Sequence, residues 1–231
     1  MEDIRYYDRL AAAYIRGRAE QKGTSVFIEK ELLSKALSEL TEKEIEEILE
    51  AGRKAEEKLY AFKSIHNDMP RVKRVLGFLK SVQFQSLLDV GSGRGVFLFP
   101  FLEEFPQVQV TSVDILPYRA EFLQALCDGG IARLRVLEEN ICTQPLPDKA
   151  VDVVTMLEVL EHIPDAEKAV KAAVRMARKY VVVTVPSRPD NNPEHIHLLT
   201  KQILTEMFEA AGCTRLHFDG VSGHLFMAAV M

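Results

Sequence analysis

The stretch Leu87-Leu88-Asp89-Val90-Gly91-Ser92-Gly93-Arg94-Gly95 sets the reading of the whole chain. An apolar run of strand character enters a turn with three glycines, and a helical segment opening at Phe97 leaves it. Glycines that lack a Cβ and tolerate positive φ let backbone N–H groups and a helix N-terminus come close to a ligand. Two common uses of such a turn are excluded by its neighbours. A dinucleotide loop needs a third glycine where Val96 stands, and a phosphate loop needs a following Gly-Lys-Ser/Thr, which is absent. Asp89 would also repel a pyrophosphate, so the turn suits a ligand that presents an ammonium group.

Downstream of Gln83, short β-branched runs alternate with helical stretches. Strands are expected at Ser86–Val90, Val108–Val113, Leu134–Leu137, Val151–Leu157 and Tyr180–Val185. Helices are expected at Phe97–Glu104, Tyr118–Cys127, Glu167–Arg178 and Lys201–Ala211. This alternation specifies a parallel sheet with crossover helices. Thr214–Phe218 and Leu225–Val230, flanking Val221-Ser222-Gly223-His224, read as an antiparallel hairpin. The expected class is α/β, a doubly wound, mostly parallel seven-stranded sheet with an antiparallel C-terminal hairpin, preceded by an all-α N-terminal arm or cap.

Residues 1–82 form that arm and residues 83–231 the core. Apolar positions recur at helical spacing through Ile4, Leu10 and Tyr14, and through Val26, Leu32, Leu33, Leu37 and Leu40. Thr41 and Glu44 make a capping box, after which Ile45, Ile48, Leu49, Leu59 and Phe62 predict a helix of about five turns. Pro70 opens a further helix with Val72, Val75, Leu76 and Leu79 on its apolar side. Tyr6, Tyr7, Tyr14 and Tyr60 are candidates for closing a substrate cleft.

The 231 residues carry 29 Lys and Arg against 34 Asp and Glu, a formal charge of −5 that disfavours nonspecific binding to a polyanion. The excess lies in the core, because residues 1–80 hold 16 basic and 15 acidic side chains and the remainder 13 and 19. Cys127, Cys142 and Cys213 are widely spaced, without the pairing of a disulfide scaffold or a zinc site, and suggest reduced thiols in a cytoplasmic protein. No stretch reaches the roughly 18 apolar residues of a membrane span.

Asp114, at the end of the second strand, is placed to accept hydrogen bonds from both hydroxyls of a ribose. After the third strand, Asn140 offers an amide and Ile141 an apolar surface to an adenine edge. The order Asp-x-Gly-x-Gly-x-Gly, acidic second-strand end, polar-apolar pair, "LPDKAVDVVTMLEVLEHIPD" and terminal hairpin resembles the class I S-adenosylmethionine-dependent methyltransferases over about residues 83–231. The resemblance implies S-adenosylmethionine as cofactor. Gly91, Ser92, Gly93 and Gly95 would then wrap its methionine part with Asp89 near the ammonium, and Ile115 would pack on adenine. Asn140, Ile141 and Leu157 would complete the cofactor set, with Asn140 where many members have Asp.

Methyl transfer needs an in-line acceptor and, for a hydroxyl or amine, a base. Glu158, Glu161 and His162 fall within one turn at the carboxyl edge of the sheet, and His162 is the leading base candidate. His195 or His197, after the fifth strand, is expected to meet it across the cleft. Two carboxylates and two imidazoles suit a divalent cation such as Mg²⁺ or Mn²⁺. The run resembles RNA 3′-terminal ribose 2′-O-methyltransferases, which implies Glu158, Glu161, His162 and His197 as metal ligands. It also resembles quinone-biosynthesis O-methyltransferases, which share Glu-x-x-Glu-His-x-Pro-Asp.

The principal reading is methyl transfer to a small-molecule acceptor, with His162, Glu158 and His197 as catalytic candidates. A metal-dependent RNA ribose methyltransferase and a non-enzymatic cofactor-binding or assembly protein stay open as alternatives. Lys63, Arg71, Lys73, Arg74 and Lys80 form the one basic stripe that an RNA partner could use. A monomer, or a homodimer through the helical arm, is expected.

Overall fold

The computed structural model describes residues 5–21, 26–63, 67–189 and 191–231. Its strands are β1 (Ser86–Val90), β2 (Gln109–Asp114), β3 (Leu134–Glu138), β4 (Val151–Leu157), β5 (Ala177–Pro186), β6 (Arg215–Val221) and β7 (His224–Val230). They form one seven-stranded sheet in the order β3-β2-β1-β4-β5-β7-β6. β1 to β5 are mutually parallel, and β7 runs antiparallel between β5 and β6. The chain leaves β1 toward β2 on one side and later returns to β4 on the other. This reversal opens a crevice at the carboxyl ends of the strands, where open α/β sheets bind ligands.

Alternate strand residues serve opposite faces, as a pleated sheet requires. Leu87, Val153 and Val182 point into one apolar cluster, while Leu88, Val154, Val181 and Val183 point into the other. Helices α7 (Ala166–Met176) and α8 (Lys201–Ala210) cover the second face. Asp165 caps α7 by accepting from the Lys168 N–H, and Thr200 caps α8 by accepting from the Ile203 N–H. The first face is covered by α5 (Leu98–Glu104) and α6 (Pro117–Asp128), together with α4 (Pro70–Lys80), α3 (Glu42–Lys54) and α1 (Tyr6–Glu20) from the N-terminal segment. A continuous apolar cluster thus runs from Leu10, Ile15 and Ile48 through Phe99 and Leu123 to the sheet.

The join between the helical segment and the core is a contact of backbones. A Cβ added to Gly17 of α1 would sit 1.9 Å from the Ala125 carbonyl oxygen of α6, and one on Gly129 would sit 1.7 Å from the Ala13 carbonyl oxygen. Both helices carry their smallest residues at the crossing, where nothing larger fits.

The structure corrects three boundaries. The helix begun at the Thr41–Glu44 capping box stops at Lys54 instead of running about five turns. Glu56 takes a left-handed conformation (φ 58°), and the Glu57 N–H closes onto the Gly52 carbonyl. Phe62 still enters the core, from the turn that follows. The spacing from Leu32 to Leu40 yields only the five-residue α2 (Lys30–Ser34) and a 3₁₀ turn at Leu37–Glu39. There the buried Arg16 donates to the Leu33 and Lys35 carbonyls (2.6 and 2.9 Å) and Arg9 to that of Leu37 (2.9 Å), taking acceptors that a longer helix would use. Finally, α7 ends before Arg178, which β5 claims through the Asp152 carboxylate (2.9 Å) and Ser86 Oγ (3.0 Å).

Gly17→Ala is expected to lower stability by about 1–3 kcal/mol, the usual cost of overpacking. Gly77→Ala, in α4 with nothing within 4 Å of the added methyl, should instead raise it by about 0.5–1 kcal/mol. Urea midpoints of both variants check the contrast; a Gly17→Ala protein as stable as the parent would refute the backbone contact.

Candidate functional site

The glycine turn lies at the crevice between β1, β2 and β4. Gly91, Gly93 and Gly95 all have positive φ (67°, 57° and 80°). A Cβ on Gly91 would meet Val159 at 2.7 Å and one on Gly95 the Phe99 ring at 2.4 Å, whereas a Cβ on Gly93 would meet nothing nearer than 3.8 Å. Gly91 and Gly95 are therefore required by packing, and Gly93 leaves a cradle open to the crevice. A cleft of about 370 Å³ lies there, walled by Asp89 and the turn, by Val96 and Phe97, by Leu157 and Glu158 from the end of β4, and by Arg71, Val72 and Arg119.

Asp89 is buried and holds the turn together. Its Oδ2 accepts from Ser92 Oγ and its Oδ1 from Thr155 Oγ1 on β4, both at 2.6 Å. Since Ser92 gives its proton to Asp89, the 2.7 Å contact between Ser92 and Ser112 Oγ on β2 is a donation by Ser112. Burial pushes the Asp89 carboxyl up to about 6, against the lowering effect of the two hydroxyls. Asp114 is buried as well, with Oδ2 accepting from the Gly93 N–H (3.2 Å) and Oδ1 from the Leu116 N–H (3.1 Å). Two carboxylates thus flank the cradle.

The other cofactor candidates divide. Ile115 is 59 % exposed beside Asp114, as a surface for a ring requires. Asn140 spends its Oδ1 on the Cys142 N–H (2.9 Å), capping a 3₁₀ turn, and Ile141 is buried in the core cluster. Arg71 and Arg119 are cleft residues that sequence reading missed. Arg71 belongs to the basic stripe, whose Lys73, Arg74 and Lys80 pair with Asp68, Asp219 and Glu104. The polar residues Ser112 and Thr155 within apolar strands were the available sign of the Asp89 network.

Beyond β4, Glu158 has left-handed backbone (φ 58°), a strained conformation for a non-glycine residue. Its Oε1 accepts from Thr184 Oγ1 (2.8 Å) and its Oε2 pairs with His224 Nε2 (3.0 Å). His224 also escaped sequence reading, because only the fold brings the hairpin turn to the end of β4. His162 Nδ1 donates to the Glu194 carbonyl (3.0 Å), which leaves Nε2 as the basic nitrogen.

The expected metal quartet is corrected. His195, not His197, meets His162, with ring centroids 4.7 Å apart. Among the described residues, the groups with ligating atoms within 4.8 Å of one another are Glu161, His162 and His195. Glu158 is drawn away toward His224, and His197 donates through Nε2 to the Ile163 carbonyl (3.0 Å), beside a separate pocket with Pro164 and Leu199. Of the tyrosines, Tyr14 and Tyr60 line a cavity next to the cleft, while Tyr6 and Tyr7 pack into or against the apolar cluster. No helix among the described residues is long and apolar enough to cross a membrane.

Residues 88–183 match the family described as "Methyltransferase domain". The ubiquinone biosynthesis O-methyltransferase of Pseudomonas entomophila is 27% identical over 117 residues, covering 51% of this chain and 50% of that protein. The chain thus spans about half the length of the curated relatives it matches. An S-adenosylmethionine-dependent methyltransferase from Aquifex aeolicus superposes with a TM-score of 0.60 at 20% identity, over 73% of this chain and 93% of the other. The [4+2]-cyclase SpnF also superposes, with a TM-score of 0.59 at 15% identity over 70% and 80%. The structural likenesses establish a Rossmann-like methyltransferase fold, and the domain match over residues 88–183 supports a class I S-adenosylmethionine-dependent methyltransferase.

Proposed function

We propose that this chain transfers a methyl group from S-adenosylmethionine to an oxygen of a small-molecule acceptor. The observation that carries the reading is the open cradle at Gly93 between two buried carboxylates, which fits a cationic, ribose-bearing cofactor. When bound, that cofactor supplies an electrophilic methyl on a sulfonium. Asp114 would hold the ribose diol, Ile115 would face adenine, and Asp89 would balance the ammonium. Arg71, which lines the same cleft, would take the methionine carboxylate. Val96, Phe97 and Leu157 exclude water from the reacting centre, which favours displacement from a cation. The names of the curated relatives support oxygen as the acceptor atom.

Glu158 would accept the proton, a role supported by its position in the cleft lining and its contacts with Thr184 and His224. His162, bound to the Glu194 carbonyl, positions the segment after β4 beside it. A second reading, with a divalent ion at Glu161, His162 and His195, is favoured by their convergence within 4.8 Å and by a donor set of one carboxylate and two imidazoles.

Calorimetry with S-adenosylhomocysteine should show binding that Asp114→Ala and Arg71→Ala each weaken by about tenfold or more, one lost charge-assisted contact being worth at least ~1.4 kcal/mol. Undiminished binding by both variants would remove the site assignment.

Binding of S-adenosylmethionine should tighten as pH rises through about 6, where the Asp89 carboxyl of the free protein ionises. A cation stabilises the carboxylate, so a proton is released on binding, detectable as a buffer-dependent heat, and Asp89→Asn should flatten the profile. Stability moves the opposite way. The unfolded carboxyl ionises near 3.8, so folding loses free energy as pH climbs from there toward 6.

In an acceptor screen read by S-adenosylhomocysteine release, Glu158→Gln should cut turnover by about 100-fold with cofactor affinity intact. Full turnover in that variant would exclude Glu158 as the base. In the same assay, a loss on chelation that Mn²⁺ restores would assign the histidine cluster a metal.

A further inference from the structure

A second cavity, of about 240 Å³, adjoins the cofactor cleft and shares Gly93, Arg94 and Arg119 with it. Its far wall comes from the helical segment through Tyr14, Lys58, Tyr60 and Ala61, and its near wall from the first turns of α6. We propose that this cavity binds an aromatic anion, a flat ring bearing a carboxylate or phosphate, and thereby selects the methyl acceptor. The word acceptor rests on the proposed transfer reaction; the binding does not.

The lining is positively charged. Four cations line the cavity, and one of them, Arg18, is neutralised by Glu57 at 3.0 Å. Lys58, Arg94 and Arg119 have no carboxylate within ion-pair distance among the described residues, and Glu121 is the one acid in the lining. A concave surface with this excess of positive charge concentrates anions. Guanidinium groups in particular match the geometry of carboxylate and phosphate oxygens.

The lining is also aromatic. Tyr60 and Tyr118 are 50 % and 61 % exposed, unusually open for rings at the rim of a cavity. The Arg94 guanidinium lies 5.4 Å from the Tyr60 ring centroid and that of Arg119 lies 5.7 Å from Tyr118, so each cation is steadied by a ring without losing its N–H donors. Phe122 and Tyr14 continue the apolar floor, with ring centroids 5.1 Å apart. A planar ligand would cover these faces while its anionic group met the cations.

The volume lies below the roughly 300–1,000 Å³ of pockets for drug-sized ligands, which suits a single ring. The shared residues Gly93, Arg94 and Arg119 set the cavity directly beside the cleft that holds Glu158.

The test is calorimetric titration of the whole chain, saturated with S-adenosylhomocysteine, using 3,4-dihydroxybenzoate, phenyl phosphate and neutral catechol. At least one of the two anions should bind about tenfold or more tightly than catechol. That preference should shrink between about 50 mM and about 500 mM NaCl. Lys58→Ala and Tyr60→Ala, which lie outside the cofactor cleft, should each weaken the anion by about fivefold or more and leave S-adenosylhomocysteine affinity within about twofold. Whichever anion binds more tightly identifies the oxyanion.

The proposal is overturned if catechol binds as well as the acids, if no probe binds, or if the variants do not affect the anion. It is also overturned if they weaken S-adenosylhomocysteine instead, which would make the cavity part of the cofactor site. Failure of S-adenosylhomocysteine to bind the parent chain would count against the transfer reaction alone, and the same titration without it would still decide the cavity.

Discussion

The site depends on one buried carboxylate. Asp89 ties β1 to the glycine turn through Ser92 and to β4 through Thr155, while Ser112 extends the network to β2. Three strands at the reversal point of the sheet are thereby fixed around a single charge. A carboxylate in such surroundings is costly unless hydroxyls satisfy it, and two do. The arrangement holds a preorganised carboxyl group at the floor of the cleft.

The sheet was readable because a buried parallel strand needs a continuous β-branched run and a crossover helix needs a period of 3.6, and both were present without ambiguity from Leu87 to Val185. The turn was readable because positive φ at three positions selects glycine. The Arg16-dependent loops were not readable, since a buried guanidinium that gathers the Leu33 and Lys35 carbonyls leaves no periodic trace. The histidine cluster was legible in kind and not in membership. His195 and His197 sit on one loop, and the choice between them depends on which carbonyl the other one finds. For His197 that is Ile163, a matter of loop path alone.

Arg71, Lys58 and Tyr60 show where sequence reading ends. All belong to the segment before the first strand, and their position over the sheet follows from how that segment packs on the core, information that no local spacing contains. The likeness to SpnF points the same way: a shared sheet does not specify a shared reaction, and what differs among such proteins is the wall built above the strand ends. Here the cavity beside the cleft is aromatic and cationic, through Tyr60, Tyr118, Arg94 and Arg119, while Asp89 and Glu158 line the cleft itself.

The crossing of α1 and α6 bears on how such a protein can diversify. With Gly17 against Ala125 and Gly129 against Ala13, neither helix can accept a larger side chain at the crossing unless the other moves. Lys58 and Tyr60 carry no such restriction, since their side chains are exposed. Inheritance of a new acceptor would therefore proceed through a few positions after α3, one residue at a time, on a frame that selection holds constant beneath them.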